Sequence, residues 1–235
     1  MSADPVGLSR DLLRAVKLGE PTTDLERALR DLDAGVLDAA TTDDAAALAF
    51  WLNVYNAVTQ LELARNPDRY DKHRFFRREV VPVAGRRLRL DDVEHGILRR
   101  SYHRWGLGYV PWPTRSAFVR RMQPSERDPR IHFALNCGAA SCPPIAAYTA
   151  GSIDEELDLA TASYLGSEVA YDPATETVTV PRTLLWFRGD FGGKRGILEL
   201  LREFDCIPPD ATPSLAYDEY DWTLDRGNFG EGSEA

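Results

Sequence analysis

The stretch Ala45-Ala46-Ala47-Leu48-Ala49-Phe50-Trp51-Leu52-Asn53-Val54-Tyr55-Asn56-Ala57-Val58 decides the fold. Small polar residues from Thr42 to Asp44 can cap exposed amides at its start, and helical character runs on to about Leu63. Apolar residues cover this helix on nearly every side, so it is expected to be buried at the centre of the molecule. Asn53, Asn56 and Gln60 fall on one stripe of it. Buried amides need partners, so these three either tie neighbouring loops to the helix or form the polar wall of a pocket.

Upstream, Leu8–Leu18 and Leu25–Leu37 repeat apolar residues at helical spacing on either side of Pro21-Thr22-Thr23-Asp24, giving two amphipathic helices. Downstream, Asn66-Pro67-Asp68 stops the central helix, and Glu79–Leu90 reads as a short hairpin turning near Gly85. The segment Leu90–Leu98 starts a helix, with Asp91, Asp92 and Glu94 in its first turn and His95 on it. Arg104–Pro124, rich in Trp, Pro and Gly, has no sustained period and is expected to be an ordered, aromatically packed loop and a candidate lid. Ile131–Asn136 is predicted as a buried strand feeding the loop Cys137–Pro144. A capping-box helix follows from Ser152 to about Leu165, then a hairpin of Glu168–Tyr171 with Thr177–Val180. Thr183–Phe191 and Gly196–Phe204 read as helices separated by Gly192-Gly193, with Tyr220, Trp222 and Leu224 alternating as a closing strand.

These elements predict a mixed α/β fold in which helices outnumber short strands. A helical cap over residues 1–47 precedes a main domain over 48–225 and a frayed tail over 226–235. The 235 residues suffice for a core of ordinary size, and no repeat or flexible linker divides them. No window reaches the ~18–20 apolar residues of a spanning helix, and charges at Asp4, Arg10, Asp11, Arg14 and Lys17 interrupt any apolar leader, so a cytoplasmic protein without a membrane partner is expected. A net charge of −9 argues against a nucleic-acid partner.

Phosphate-loop, dinucleotide, zinc-protease and serine-elbow motifs are all missing, and no cofactor is expected. What remains is sulfur and imidazole: Cys137 and Cys142 in one loop, His132 five residues upstream of Cys137, and His73, His95 and His103 elsewhere. A nucleophilic thiolate needs an activating environment, and Cys142 before Pro143 could open a helix whose positive end supplies it. Strand alternation leaves the facing of His132 open, so His95 or His132 can serve as the base. A zinc site using His132, Cys137, Cys142 and Cys206 or His95, a redox-responsive disulfide, and inert buried cysteines are the other readings. Asp190 could orient an imidazole, but a turn-capping role before Gly192 is favoured.

Four strings together carry a resemblance: Phe50–Ala57, Leu90–Arg99, Ile131–Pro144 and Trp186–Gly192. From about Leu48 to Leu224 the chain resembles the domain of unknown function 547 family, whose members occur alone or fused to glutaredoxin-like or leucine-zipper modules. The resemblance marks Asn53, Asn56, Glu94, His95, His132, Asn136, Cys137, Cys142 and Asp190 as motif positions without giving any of them a role. From residue types, the expected function is a thiol-dependent hydrolase or acyl transferase acting on an amide, ester or isopeptide carbonyl. Cys142 or Cys137 would attack, His95 or His132 with Glu94 would move protons, and Asn53, Asn56, Asn136 and Asp190 would bind or position. The expected partner is a small-molecule or peptide substrate, the expected assembly a monomer or small homo-oligomer, and the alternative a non-catalytic binding module.

Overall fold

A computed structural model describes residues 4–71, 74–112 and 116–230. His73, the Pro113 part of the aromatic loop and the tail beyond residue 230 lie outside the described residues. The decisive stretch forms α4 (Asp44–Arg65), started by Asp43, whose carboxylate accepts the Ala46 amide. Ala46 through Gln60 are buried without interruption, as an all-round apolar helix requires.

Helix α1 (Pro5–Leu18) lies against α4; Asp4 caps it, Pro5 opens it and Gly19 ends it in a left-handed conformation. The run expected to be one helix over Leu25–Leu37 is two, α2 (Thr23–Asp31) and α3 (Ala34–Ala40). Leu32 takes an extended conformation, and Asp33 then caps α3 by accepting the Gly35 and Val36 amides, so side-chain capping outcompetes continuous periodicity. Leu12, Leu13, Leu29 and Leu37 join Phe50, Trp51 and Leu52 in one apolar cluster, which makes the N-terminal helices part of the main core.

Strands β1 (Glu79–Val83) and β2 (Arg86–Arg89) form the expected hairpin, its turn pinned to α2 by the Ala84 and Gly85 amides, which donate to the Leu29 and Arg30 carbonyls. The segment carrying His95, Asp92–Leu98, is a π-helix, a rare widening that is frequent at functional sites. Helix α5 (Ala117–Arg121) follows the aromatic loop.

A second apolar cluster gathers around α6 (Ile153–Glu168), β3 (Ala170–Asp172), β4 (Thr177–Val180), α7 (Thr183–Trp186), α8 (Gly193–Glu203) and β5 (Ser214–Tyr217). β3 pairs antiparallel with β4, as expected, and β5 joins β4 in parallel. The fold is thus mixed α/β, dominated by helices, and organised as a single domain. Among the described residues no helix is long and apolar enough to cross a membrane.

Four expectations need correction. Ile131–Asn136 is not a strand: Asp128 accepts the Arg130 amide, Pro129 presets the turn, and Pro129–Phe133 winds as a short 3-10 helix. Thr183–Phe191 is helical only as far as Trp186. The 220–224 segment runs beside the cysteine loop rather than in the sheet; the Ala140 and Ser141 amides donate to the Thr223 and Asp221 carbonyls. Residues 226–230 are held rather than frayed, because the Gly227 amide donates to Gln60 and the Ile145 amide to the Asn228 carbonyl.

Candidate active site

The amides of α4 shape the site without entering it. Asn53 donates to the Tyr148 carbonyl (2.8 Å) and accepts the Tyr148 amide (2.9 Å). Asn56 does the same for the Ala134 carbonyl and Asn136 amide, both at 2.9 Å. Asn136 continues the chain: its Nδ2 donates to the Pro143 carbonyl (2.8 Å), while its Oδ1 accepts the Gly138 amide (2.9 Å). Each of these three residues is fully buried, and none lines the cavity described below. Of the two readings open for the α4 stripe, Asn53 and Asn56 act here as ties to neighbouring loops rather than as a pocket wall, and Asn136, expected to bind or position, likewise spends its amide on backbone.

The clamped loop brings two thiols together. Cys137 Sγ and Cys142 Sγ lie 2.7 Å apart; Cys142 Sγ also accepts the Cys137 amide (3.0 Å) and lies 3.1 Å from Tyr220 Oη. Tyr220 is held by Trp186 and Trp222, with ring centroids 4.9 and 4.7 Å away. No helix begins at Pro143, so the helix-end activation expected for Cys142 is replaced by these local donors. Burial pushes the Cys142 thiol up, yet hydrogen bonds from Cys137 and Tyr220 outweigh it and hold the group below the ordinary thiol range. Hydrogen bonding to Cys142, joined by burial, pushes the Cys137 thiol well up.

Both sulfurs line a cavity of about 320 Å³ that also takes in Asp91, Glu94, His95, Arg104 and His132, with aromatic walls from Trp105, Trp186, Phe187, Tyr220 and Trp222. Glu94 Oε2 accepts the Tyr55 hydroxyl at 3.2 Å, and Asp91 Oδ2 accepts from Arg104 at 2.8 Å. Burial raises the Asp91 carboxyl above its ordinary value, against the pull of His95 and Arg104. His95 Nδ1 lies 3.0 Å from Arg99 NH1, and burial, reinforced by that guanidinium, lowers the imidazole to about 3. His132 Nε2 lies 2.9 Å from Asp190 Oδ2, with its ring stacked on Phe187 at 3.9 Å. Burial lowers the His132 imidazole as well, although Asp190 opposes the shift.

Asp190 is more than the turn residue expected. Its carboxylate receives Arg99 Nε (2.6 Å), Arg127 NH1 (2.6 Å) and His132. Burial pushes this carboxyl up, but hydrogen bonds from His132 and Arg99 outweigh it and keep the group ionised far below the usual range.

The structure therefore gathers Cys137, Cys142, Glu94, His95 and His132 around one cavity and places Asp190 behind His132. Among the described residues neither thiol is within hydrogen-bond distance of an imidazole. The four-ligand zinc arrangement does not form: Cys206 belongs to the second apolar cluster, and no three His, Cys, Asp or Glu among the described residues gather as metal ligands. His103 serves the aromatic loop, accepting the Trp105 amide and packing on Trp112. Sequence reading missed Arg99, Arg127, Tyr55 and Tyr220. Arg99 left one trace, an arginine closing the apolar pair Ile97-Leu98 four residues after His95, where a helix brings the two side chains together.

No curated protein and no solved structure shows significant similarity to the chain. Residues 39–165, more than half of the chain, match the family model described as "Protein of unknown function, DUF547". That stretch holds α4, Glu94, His95, His132, Cys137 and Cys142, while Asp190 and Tyr220 lie beyond it; the chain belongs to this family.

Proposed function

We propose that the chain is a thiol-dependent hydrolase or acyl transferase acting on an amide, ester or isopeptide carbonyl, with Cys142 as the attacking sulfur. The observation that carries this reading is the convergence of the Cys137 amide, the Cys137 thiol and the Tyr220 hydroxyl on Cys142 Sγ inside a cavity that also holds two imidazoles. These donors stabilise a thiolate without a histidine partner, which accounts for the separation of sulfur from imidazole. In the reaction Cys142 Sγ bonds to the carbonyl carbon and the π pair moves onto oxygen. Collapse of that adduct expels an amine or alcohol, which takes up a proton, and leaves a thioester. Water or an acceptor nucleophile then releases the acyl group and restores the thiolate. The aromatic walls suit a small-molecule or peptide substrate with an apolar acyl portion. The cytoplasm is the compartment assigned, since a working thiol pair persists there in reduced form.

Limited iodoacetamide at neutral pH, read by peptide mass spectrometry, tests the nucleophile. Cys142 should label well ahead of Cys206, whose thiol is raised by burial and by Asp205. A p-nitrophenyl ester should in addition give a burst of nitrophenol that Cys142→Ser abolishes. Slow, equal labelling of all three cysteines, or a burst that survives the substitution, would sink the reading.

A second reading rests on one distance. Sulfurs 2.7 Å apart need to close only a little to reach the ~2.05 Å of a disulfide, so an oxidant could switch the pair reversibly. Diamide should then remove the two thiol hydrogens of Cys137 and Cys142 while leaving Cys206 free. Bridging that requires denaturant would refute it.

A further inference from the structure

Arg99 is 1% exposed, and it links the two cavity imidazoles through the carboxylate of Asp190. The four side chains form a continuous series: His132 Nε2 to Asp190 Oδ2 (2.9 Å), Asp190 Oδ2 to Arg99 Nε (2.6 Å), and Arg99 NH1 to His95 Nδ1 (3.0 Å).

Donor and acceptor chemistry fixes the protons along it. A guanidinium has only donors, so Arg99 NH1, at 3.0 Å, requires a lone pair on His95 Nδ1, while Glu94 Oε1, 3.5 Å from the same nitrogen, is the more distant competitor; the neutral ring then carries its proton on Nε2. A carboxylate in this series has only acceptors, so Asp190 requires the proton of His132 on Nε2; the neutral ring then keeps its lone pair on Nδ1. Both rings are thus the same tautomer, anchored by opposite nitrogens. The nitrogen left over is a donor on His95 and an acceptor on His132. Asp91 lies 3.8 Å from the free His95 Nε2, too far for a hydrogen bond, so that N–H is available to a ligand.

We infer that the His132–Asp190–Arg99–His95 series divides the work of the two imidazoles, His95 offering an N–H to the substrate's carbonyl oxygen and His132 a lone pair to a proton in transit. This rests on the thiol reading of the preceding section and assigns the roles that reading leaves open. His95 would donate to the oxygen that gains charge as sulfur attacks. In thioester hydrolysis a water oxygen bonds to the acyl carbon, one water proton passes to His132 Nδ1, and the C–S bond breaks with its pair returning to Cys142. The acid's remaining proton and the one held by His132 then leave to solvent. Arg99 and Asp190 touch no substrate in this scheme and are positioning residues. Neutrality of both rings, on which the division depends, agrees with the downward shifts described above.

The test is nitrogen NMR of the full chain with ¹⁵N-labelled histidine, without substrate. His95 and His132 should each show a protonated Nε2 and an unprotonated Nδ1, and His95 should stay neutral from about pH 8 down to about pH 5. Arg99→Lys, which keeps the charge and one donor, should preserve the His95 tautomer, whereas Arg99→Met should release it and raise its titration midpoint. A His95 protonated at Nδ1, or titrating near the ordinary imidazole value in the unmodified chain, would overturn the inference. The unmodified chain decides the matter even if Arg99→Met does not fold. Because these signals need neither thiol, failure here with selective Cys142 labelling intact would refute only the division of roles. The converse pattern would refute the thiol reading, and with it the roles given to the two rings, while leaving their tautomers standing.

Discussion

Replacing Asn56 by alanine is the sharpest test of how the site loop is held. Asn56 makes one bond from Nδ2 to the Ala134 carbonyl and one to Oδ1 from the Asn136 amide, each 2.9 Å long and completely buried. Truncation strands both backbone groups where no other partner reaches them. At roughly 1–3 kcal/mol for each unsatisfied buried group, the loss is about 2–6 kcal/mol, a large share of the ~5–15 kcal/mol that stabilises an ordinary domain. Asn56→Asp should do less harm to the Asn136 amide, which keeps its acceptor, but it sets an acceptor against the Ala134 carbonyl and buries a charge. Urea unfolding with an unchanged slope measures the loss directly. The exposed Arg195–Glu199 pair supplies the control: Arg195→Ala should leave the urea midpoint essentially where it is. Because Asn136 immediately precedes Cys137, folded Asn56→Ala should also lose the preference of iodoacetamide for Cys142 over Cys206. A cost of less than ~1 kcal/mol with that preference intact would refute the clamp, since unpaired buried groups cannot be so cheap.

Other perturbations report on the remaining parts. Tyr220→Phe deletes a donor 3.1 Å from Cys142 Sγ; at ~1.5–3 kcal/mol for a hydrogen bond to a charged group, the alkylation pH profile should move up by about one to two units, and an unmoved profile would exclude the donor. Gly108 has φ +79°, and a Cβ there would sit 2.6 Å from Asp190 N, so Gly108→Ala should lower Tm by several degrees and shift the His132 nitrogen signals; silence in both would refute the close approach. His95 and His132 are held below the unfolded imidazole value, so the unfolded chain takes up protons first as pH falls: stability is complete above about pH 6.5 and is lost below it by about 1.4 kcal/mol per pH unit per imidazole, down to about pH 3 for His95. A urea midpoint that is level between about pH 7.5 and 5.5 would contradict this. Arg99→Met with Asp190→Leu should restore only part of the stability lost by either change alone, because His132 and Arg127 still lose the Asp190 carboxylate, and a double variant as stable as the unmodified chain would contradict a network that extends beyond the ion pair.

The parts of the fold legible in the sequence are those set by local chemistry. α4 could be read because apolar residues on every side of one helix admit only a central position, and the β1–β2 hairpin because its apolar alternation breaks at Gly85. Ile131–Asn136 misled because a short apolar run suits a strand and a buried turn equally well; Asp128 and Pro129 decide for the turn. The candidate cysteines and histidines could be named, but not their partners. Asp190 lies 91 positions from Arg99 and 58 from His132, and Tyr220 lies 78 from Cys142, so only packing of distant segments reveals these pairings.

That long-range ion pair also says what kind of device the site is. Val93, Ile97 and Leu98, which flank His95 and precede Arg99, belong to the first apolar cluster, while Phe191, next to Asp190, belongs to the second. Arg99 and Asp190 therefore join the two clusters, each with only 1–2% of its side chain exposed. Taking two charges out of water costs several kcal/mol per ion, and apolar residues of similar shape would join two cores at no such cost. Apolar residues would not, however, dictate where protons sit. Arg99 donates to His95, Asp190 accepts from His132, and the Arg99 guanidinium stacks 4.4 Å from the Phe187 ring that also carries His132. Beyond its partner, Arg99 is spent on an imidazole and on that ring, and Asp190 on the other imidazole and on Arg127, which is itself tied to the Gly108 carbonyl. A charged bridge between two apolar cores, costly as adhesive, is well suited to holding two proton-carrying rings in one fixed state beside a cavity.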